Sequence, residues 1–209
     1  QLMRFLDNTG LAKNTIVIFT SDNGPESPVN FDESRGKWVD TIRDNCFGTP
    51  GMLRGMKRFT YEGGHRVPGI VRWPDKIPAG MVSDKLVNGT DFFPMICKVA
   101  GVMQPDDRTI DGRNALPALL NQNKNKNQPV IWLLQLNEDM YSKMGDMSMR
   151  YNEYTLIGRM SVKADSVALL NWMYNALPEK YELYNIVKDP EQQFDIAKNN
   201  PRLLKKLIP

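Results

Sequence analysis

The 209-residue sequence predicts an α/β fold followed by a smaller α+β region. Three observations predict it. First, "TIVIFT" at 15–20 is a continuous apolar, β-branched run placed directly after a helical stretch. Such a run suits a strand buried on both faces of a parallel sheet. Second, "GIVRW" at 69–73 reads as another strand and is followed by a capped helix within 87–102, which continues the alternation. Third, "NQNKNKNQ" at 121–128 is a polar link that cannot build a core, and short strand patterns follow it.

The elements follow in chain order. "QLMRFLDNTG" resembles the end of an amphipathic helix, with Leu2, Phe5 and Leu6 on one face and a glycine stop at Gly10. Residues 24–50 carry Gly, Pro, Asp and Arg without periodicity and read as a long loop. Pro74 stops the strand at 69–73. Thr90 or Asp91 caps a helix running to Gly101, with Phe92, Phe93, Ile96 and Val99 as its apolar side. Beyond the link, 129–136, 153–158, 167–172 and 181–186 are strand candidates, and "NPRLLKKL" at 200–207 is a closing helix.

Composition excludes several function classes. Net charge is +3 with both signs interspersed, and no basic run with interleaved aromatics occurs, so a nucleic-acid partner is not expected. No stretch reaches the ~18 consecutive apolar residues of a membrane span. Position 1 is not methionine and no signal peptide is present, so the chain is expected to begin within a longer protein. Cys46 and Cys97 form no CxxC pair and read as free or buried thiols, with a disulfide left open. His65 is the only histidine, which excludes a His-rich zinc site within the chain.

Two stretches carry candidate chemistry. In "TSDNG" at 20–24, Asn23–Gly24 is a turn signal, because both residues tolerate positive φ. The stretch also lies at the carboxyl end of a strand, where ligands bind in open α/β sheets. Asp22 and Asn23 offer the oxygen donors that a hard cation prefers, but Ca2+ takes about six to eight of them. In "LRGMKRFTYEGG", Arg54 and Lys57 read either as solvated cations or as an anion site approached by glycine backbone. Glu62 reads as a partner for a nearby arginine. His65 reads as a general acid or ligand, or as a histidine beside a turn.

Taken together, "NTIVIFTSDNG", "LRGMKRFTYEGGHRVPGIVRWP", "DFFPMICKVAG", "DGRNALPALL" and "YELYNIVKDPEQQFDIA" resemble, in this order, the carboxy-terminal half of the formylglycine-dependent sulfatases. The similarity weakens from 121 to about 180. It implies an alkaline-phosphatase-like fold, with the back part of the catalytic domain over 1–124 and a subdomain with an antiparallel sheet over 125–209. It implies that Asp22 and Asn23 coordinate an active-site Ca2+ and that Lys57 binds a sulfate oxygen and supports the leaving group. His65 sits at a variable place in the motif, so the resemblance carries no role over to it, and it stands beside Lys57 as a candidate substrate-binding residue. The loop at 25–50, with Arg35, Lys37, Trp38 and Arg43, lies where such enzymes shape specificity.

One departure from the family pattern stands out. The C/S-x-P/A-x-R motif that matures to formylglycine is absent: neither Cys46 nor Cys97 fits it, and neither do Ser27 and Ser34. The family's amino-terminal calcium aspartates are absent as well. The expectation is therefore a fragment of a sulfatase, inactive alone, whose partners are the missing amino-terminal half of the same protein and a sulfated carbohydrate or aryl sulfate. The resemblance implies a periplasmic or secreted location. Two alternatives remain: a phosphodiesterase or phosphonate hydrolase of the same superfamily, and a non-catalytic module that binds sulfated glycans.

Overall fold

A computed structural model describes residues 1–26, 48–122, 128–134, 146–159 and 177–208, and the backbone of 29–32 and 37–40. Cys46, Arg35, Arg43, the strand candidate at 167–172 and most of the polar link lie outside the described residues. The chain groups into two compact units, Gln1–Asp22 with Pro68–Asn127, and Asn23–Val67 with Gln128–Pro209.

In the first unit, helix α1 (Leu2–Asn8) ends as expected near Gly10, whose φ of 74° gives the left-handed turn. Strand β1 (Val17–Thr20) pairs with β4 (Gly69–Arg72), and Arg72 donates to the Asp7 carboxylate at 2.6 Å. The pairing is antiparallel, against the expectation of a parallel neighbour. A continuous apolar run signals burial on two faces. It carries no information on the direction of the adjacent strand, which the connection sets. Phe19 stays 61% exposed, so the apolar run is not fully covered by the described residues.

Helix α3 (Phe92–Ala100) stops at Gly101, with φ of 68°. Its entry is a short 3-10 turn in which Asn88 and Asp91 form a reciprocal capping box. The Asp91 carboxylate also accepts from the Arg113 amide at 2.7 Å, which ties the "DGRN" segment to the helix start. Its buried residues are Pro94, Met95 and Cys97, whereas Phe93 and Ile96 are exposed. Of the expected apolar side, Phe92 and Val99 are half-buried and only Phe93 and Ile96 face outward. Both sides of "FFPMICKVA" are apolar, so packing rather than periodicity chose the face. Helix α4 (Leu116–Leu119) follows.

In the second unit, four strands form an antiparallel sheet in the order β5-β6-β7-β8: β5 (Val130–Leu134), β6 (Asp146–Tyr151), β7 (Tyr154–Arg159) and β8 (Lys180–Asn185). Helix α5 (Pro201–Leu207) covers one face, where Met149, Leu156, Leu183, Ala197 and Leu207 make the core. Within the segment expected to be an irregular loop, β2 (Val29–Asp32) and β3 (Lys37–Asp40) pair as an antiparallel ribbon. The short helix α2 (Glu62–His65) precedes β4 in the chain.

Candidate active site

Three chain segments of the second unit meet through main-chain hydrogen bonds. The Gly24 amide donates to the Gly64 carbonyl at 2.8 Å, the Lys57 amide to the Pro25 carbonyl at 2.9 Å, and the Gly63 amide to the Arg54 carbonyl at 2.7 Å. The segment starting at Asn23 is thereby laid along Arg54–Lys57 and against α2. Glycine makes the approach possible. A Cβ on Gly24 would run into the Gly63 carbonyl, one on Gly63 into the Gly55 carbonyl, and one on Gly64 into the Phe59 carbonyl. The Asn23–Gly24 pair does not form the expected positive-φ turn, since neither residue has a left-handed backbone. Gly24 is required for close contact instead.

This contact places Lys57 beside the residues that follow Asn23. Its ammonium lies 3.1 Å from the Glu26 carboxylate, and Arg58 binds the other Glu26 oxygen. Arg58 has φ of 74°, a backbone region that long side chains seldom occupy. Arg54 does not join this cation pair. Its guanidinium stacks 3.9 Å over the Tyr61 ring and donates to the Gln192 carbonyl at 2.9 Å. Arg54 and Lys57, which the sequence read together as solvated cations or as an anion site, have different side-chain partners.

Asp22 is exposed and its carboxylate accepts from the Ser21 hydroxyl at 3.3 Å. The Asn23 amide nitrogen donates to the Gly24 carbonyl at 3.0 Å. A carboxylate and an amide oxygen on consecutive residues suit a hard cation. Among the described residues, no group of three or more His, Cys, Asp or Glu could hold a metal ion. Two oxygen donors are fewer than the roughly six to eight that Ca2+ takes, so the pair by itself is not a complete calcium site.

Helix α2 is anchored by Glu62, which is 2% exposed. Its carboxylate receives Arg150 at 3.2 Å and the Thr155 hydroxyl at 2.7 Å, while its amide donates to the Gln192 side-chain oxygen at 2.8 Å. The expectation of an arginine partner for Glu62 holds, and the partner comes from strand β6. His65 ends the same helix. Its ring lies on Trp132 with centroids 4.0 Å apart and planes 13° apart, and Nε2 is 3.2 Å from the Thr60 carbonyl. Burial pushes the imidazole below its usual value, and this outweighs the pull of the Glu62 charge.

A second polar cluster, reached from Arg54 through Tyr61 and Tyr184, was not visible in the sequence. Tyr61 and Tyr184 both donate to the Glu182 carboxylate, at 3.0 and 2.8 Å. Arg159 donates to the Tyr61 hydroxyl at 2.6 Å and also binds Asp146. Burial, reinforced by the Glu182 hydrogen bond, raises the Tyr184 phenol well above its usual range. Burial also pushes the Glu182 carboxyl up, but the Tyr184 hydrogen bond and the Arg159 charge prevail and hold it below its usual value. The only signal for this cluster was in "YELYN", where Glu182 and Tyr184 stand two apart on one face of a strand, a pattern that reads equally as strand packing.

The sulfatase family model matches residues 1–102, and the model for the N-sulphoglucosamine sulphohydrolase C-terminal region matches residues 55–205. Steryl-sulfatase of Rattus norvegicus is 41% identical over 123 residues, covering 57% of this chain and 19% of that protein. Arylsulfatase A of Homo sapiens is 29% identical over 198 residues, covering 93% of this chain and 36% of that protein. The chain thus spans about a fifth to about a third of these relatives. Among solved structures, BT4656 in complex with its substrate D-glucosamine-2-N,6-O-disulfate matches with a TM-score of 0.66 and 25% identity, covering 99% of this chain and 35% of that one. Because the C-terminal model alone covers well over half of its residues, and because the fold agrees, this α/β chain belongs to the sulfatase family and has its alkaline-phosphatase-like fold.

Proposed function

We propose that the protein hydrolyses sulfate esters, with sulfated carbohydrates as the substrate class. The observation that carries this reading is the main-chain contact that lays the segment after Asn23 along Lys57. Lys57 would place a compact positive charge against a sulfuryl oxygen, and its ammonium hydrogens would stabilise charge as it moves to the bridging oxygen. Asp22 and Asn23 would hold Ca2+ together with ligands from outside these residues. A bound Ca2+ supplies Lewis-acid charge at the sulfuryl oxygens. The hydrated formylglycine nucleophile comes, in this proposal, from residues outside the 209.

His65 enters as a substrate-side residue and not as a general acid, because burial disfavours its protonated form and Nε2 already faces the Thr60 carbonyl. Carbohydrate is favoured over simple aryl sulfate by the substrate of the BT4656 relative. The division into a catalytic part over 1–124 and a subdomain over 125–209 belongs to the same proposal, as does a periplasmic or secreted location. Among the described residues no helix is long and apolar enough to cross a membrane.

The test uses the whole enzyme that contains these residues, assayed on sulfated sugars, an aryl sulfate and the matching phosphate esters. Sulfate esters should be turned over in preference to phosphates, and Lys57→Ala should lower kcat by about 10²–10³-fold, as for loss of a transition-state charge donor. A preference for phosphate esters would instead assign a phosphoesterase. Binding of sulfated sugar without turnover would assign a binding module.

A further inference from the structure

Resting on the role proposed for Lys57, we infer that Glu26 is a positioning residue that aims the Lys57 ammonium at the reacting sulfuryl group. The Glu26 carboxylate is held from two sides, with one oxygen on Lys57 at 3.1 Å and the other on Arg58. Arg58 adopts its left-handed backbone directly after Lys57, at the residue that supplies the second contact. The Lys57 and Glu26 side chains are 38% and 30% exposed, and a pair so placed contributes little to stability. Its effect is directional. A lysine ends in a point charge on a four-carbon stem with high rotamer entropy, so an unguided ammonium would have to be ordered during each turnover. A bond to Glu26 uses one of three ammonium hydrogens and leaves two for an anion. Sharing the carboxylate with Arg58 keeps it from neutralising the lysine fully.

Glu26 also carries a negative charge near the place proposed for an anionic substrate. It should therefore oppose ground-state binding slightly while favouring the transition state. That combination gives a kinetic signature that a purely structural residue lacks.

The test is a double-mutant cycle in the whole enzyme with an aryl sulfate as probe. Glu26→Gln should lower kcat about ten-fold with KM unchanged or lower, and Glu26→Asp, which keeps the charge, should recover part of the loss. In a Lys57→Ala background, Glu26→Gln should change kcat less than about two-fold, because the group it acts through is gone. An equal loss in both backgrounds, or no loss in the Lys57 background of the native enzyme, overturns the inference. Melting temperatures of the variants separate misfolding from mispositioning, and Glu26→Asp carries the test if Glu26→Gln does not fold. If Lys57→Ala alone leaves kcat intact, it is the role of Lys57 that fails, and the role of Glu26 fails with it.

Discussion

The imidazole of His65 lies flat on Trp132, with Nε2 turned to the Thr60 carbonyl and the charges of Glu62, Arg150 and Arg66 around it. Burial dominates those charges and lowers the pKa from 6.5. The folded protein then binds fewer protons at this site than the unfolded chain in the window just below 6.5. Stability should consequently rise as pH increases through that window and fall as the solution is acidified. Thermal melts of the protein between pH 5 and pH 8 should show this slope, and His65→Gln should flatten it (the pH limits are approximate bounds around the ordinary histidine value). A slope unchanged by the substitution would place the titration elsewhere.

At the scale of elements, α2 is four residues long and two of them are glycine, so its own helical preference is poor. What holds it is Glu62. Its carboxylate has two close partners on the sheet, Arg150 and Thr155, and a third, Arg66, at 3.8 Å on the exposed side. The magnitudes separate them. Glu62→Ala leaves the largely buried Arg150 guanidinium without its counter-charge and the buried Thr155 hydroxyl without its acceptor, and should cost about 3–5 kcal/mol in urea unfolding. Arg66→Ala removes only a long contact at a half-exposed side chain and should cost at most about 1 kcal/mol. Equal effects would mean that the anchor is not the buried pair. Because α2 supports Gly64, which holds the Gly24 amide, the Glu62 substitution should also disturb the segment carrying Asn23.

The elements differ in how legible they were. Strands β5, β7 and β8 and helix α5 fall on "PVIWLLQL", "EYTLIG", "YELYNI" and "NPRLLKKL", because β-branched and aromatic runs and a proline-led helix start are local signals. Strand β6 was missed. Its Met147 and Met149 alternate with polar residues, and methionine carries little strand preference, although Met149 is buried in the core. The pair of β2 and β3 was likewise read as loop, since its segment lacks the continuous apolar run of a buried strand.

At the scale of the whole molecule, the proposed chemistry would draw on these residues and on others. In the proposal Asp22 and Asn23 would supply two donors where Ca2+ takes about six to eight, and the sequence carries no C/S-x-P/A-x-R motif. The proposal therefore expects no turnover of an aryl sulfate by the purified 209-residue chain, against turnover by the whole enzyme. Activity of the shorter chain would refute the division of the site. Sequence by itself determined the α/β class, the resemblance to the sulfatases and the identity of Asp22, Asn23 and Lys57 as candidates, because order, spacing and donor type are all written along the chain. It could not show that Gly24 serves close packing instead of a left-handed turn, that β1 pairs antiparallel, or that Glu26 reaches Lys57 from 31 positions away. Those depend on contacts between segments distant in sequence, and only the tertiary structure decides which carbonyl a glycine must clear and which carboxylate an ammonium meets.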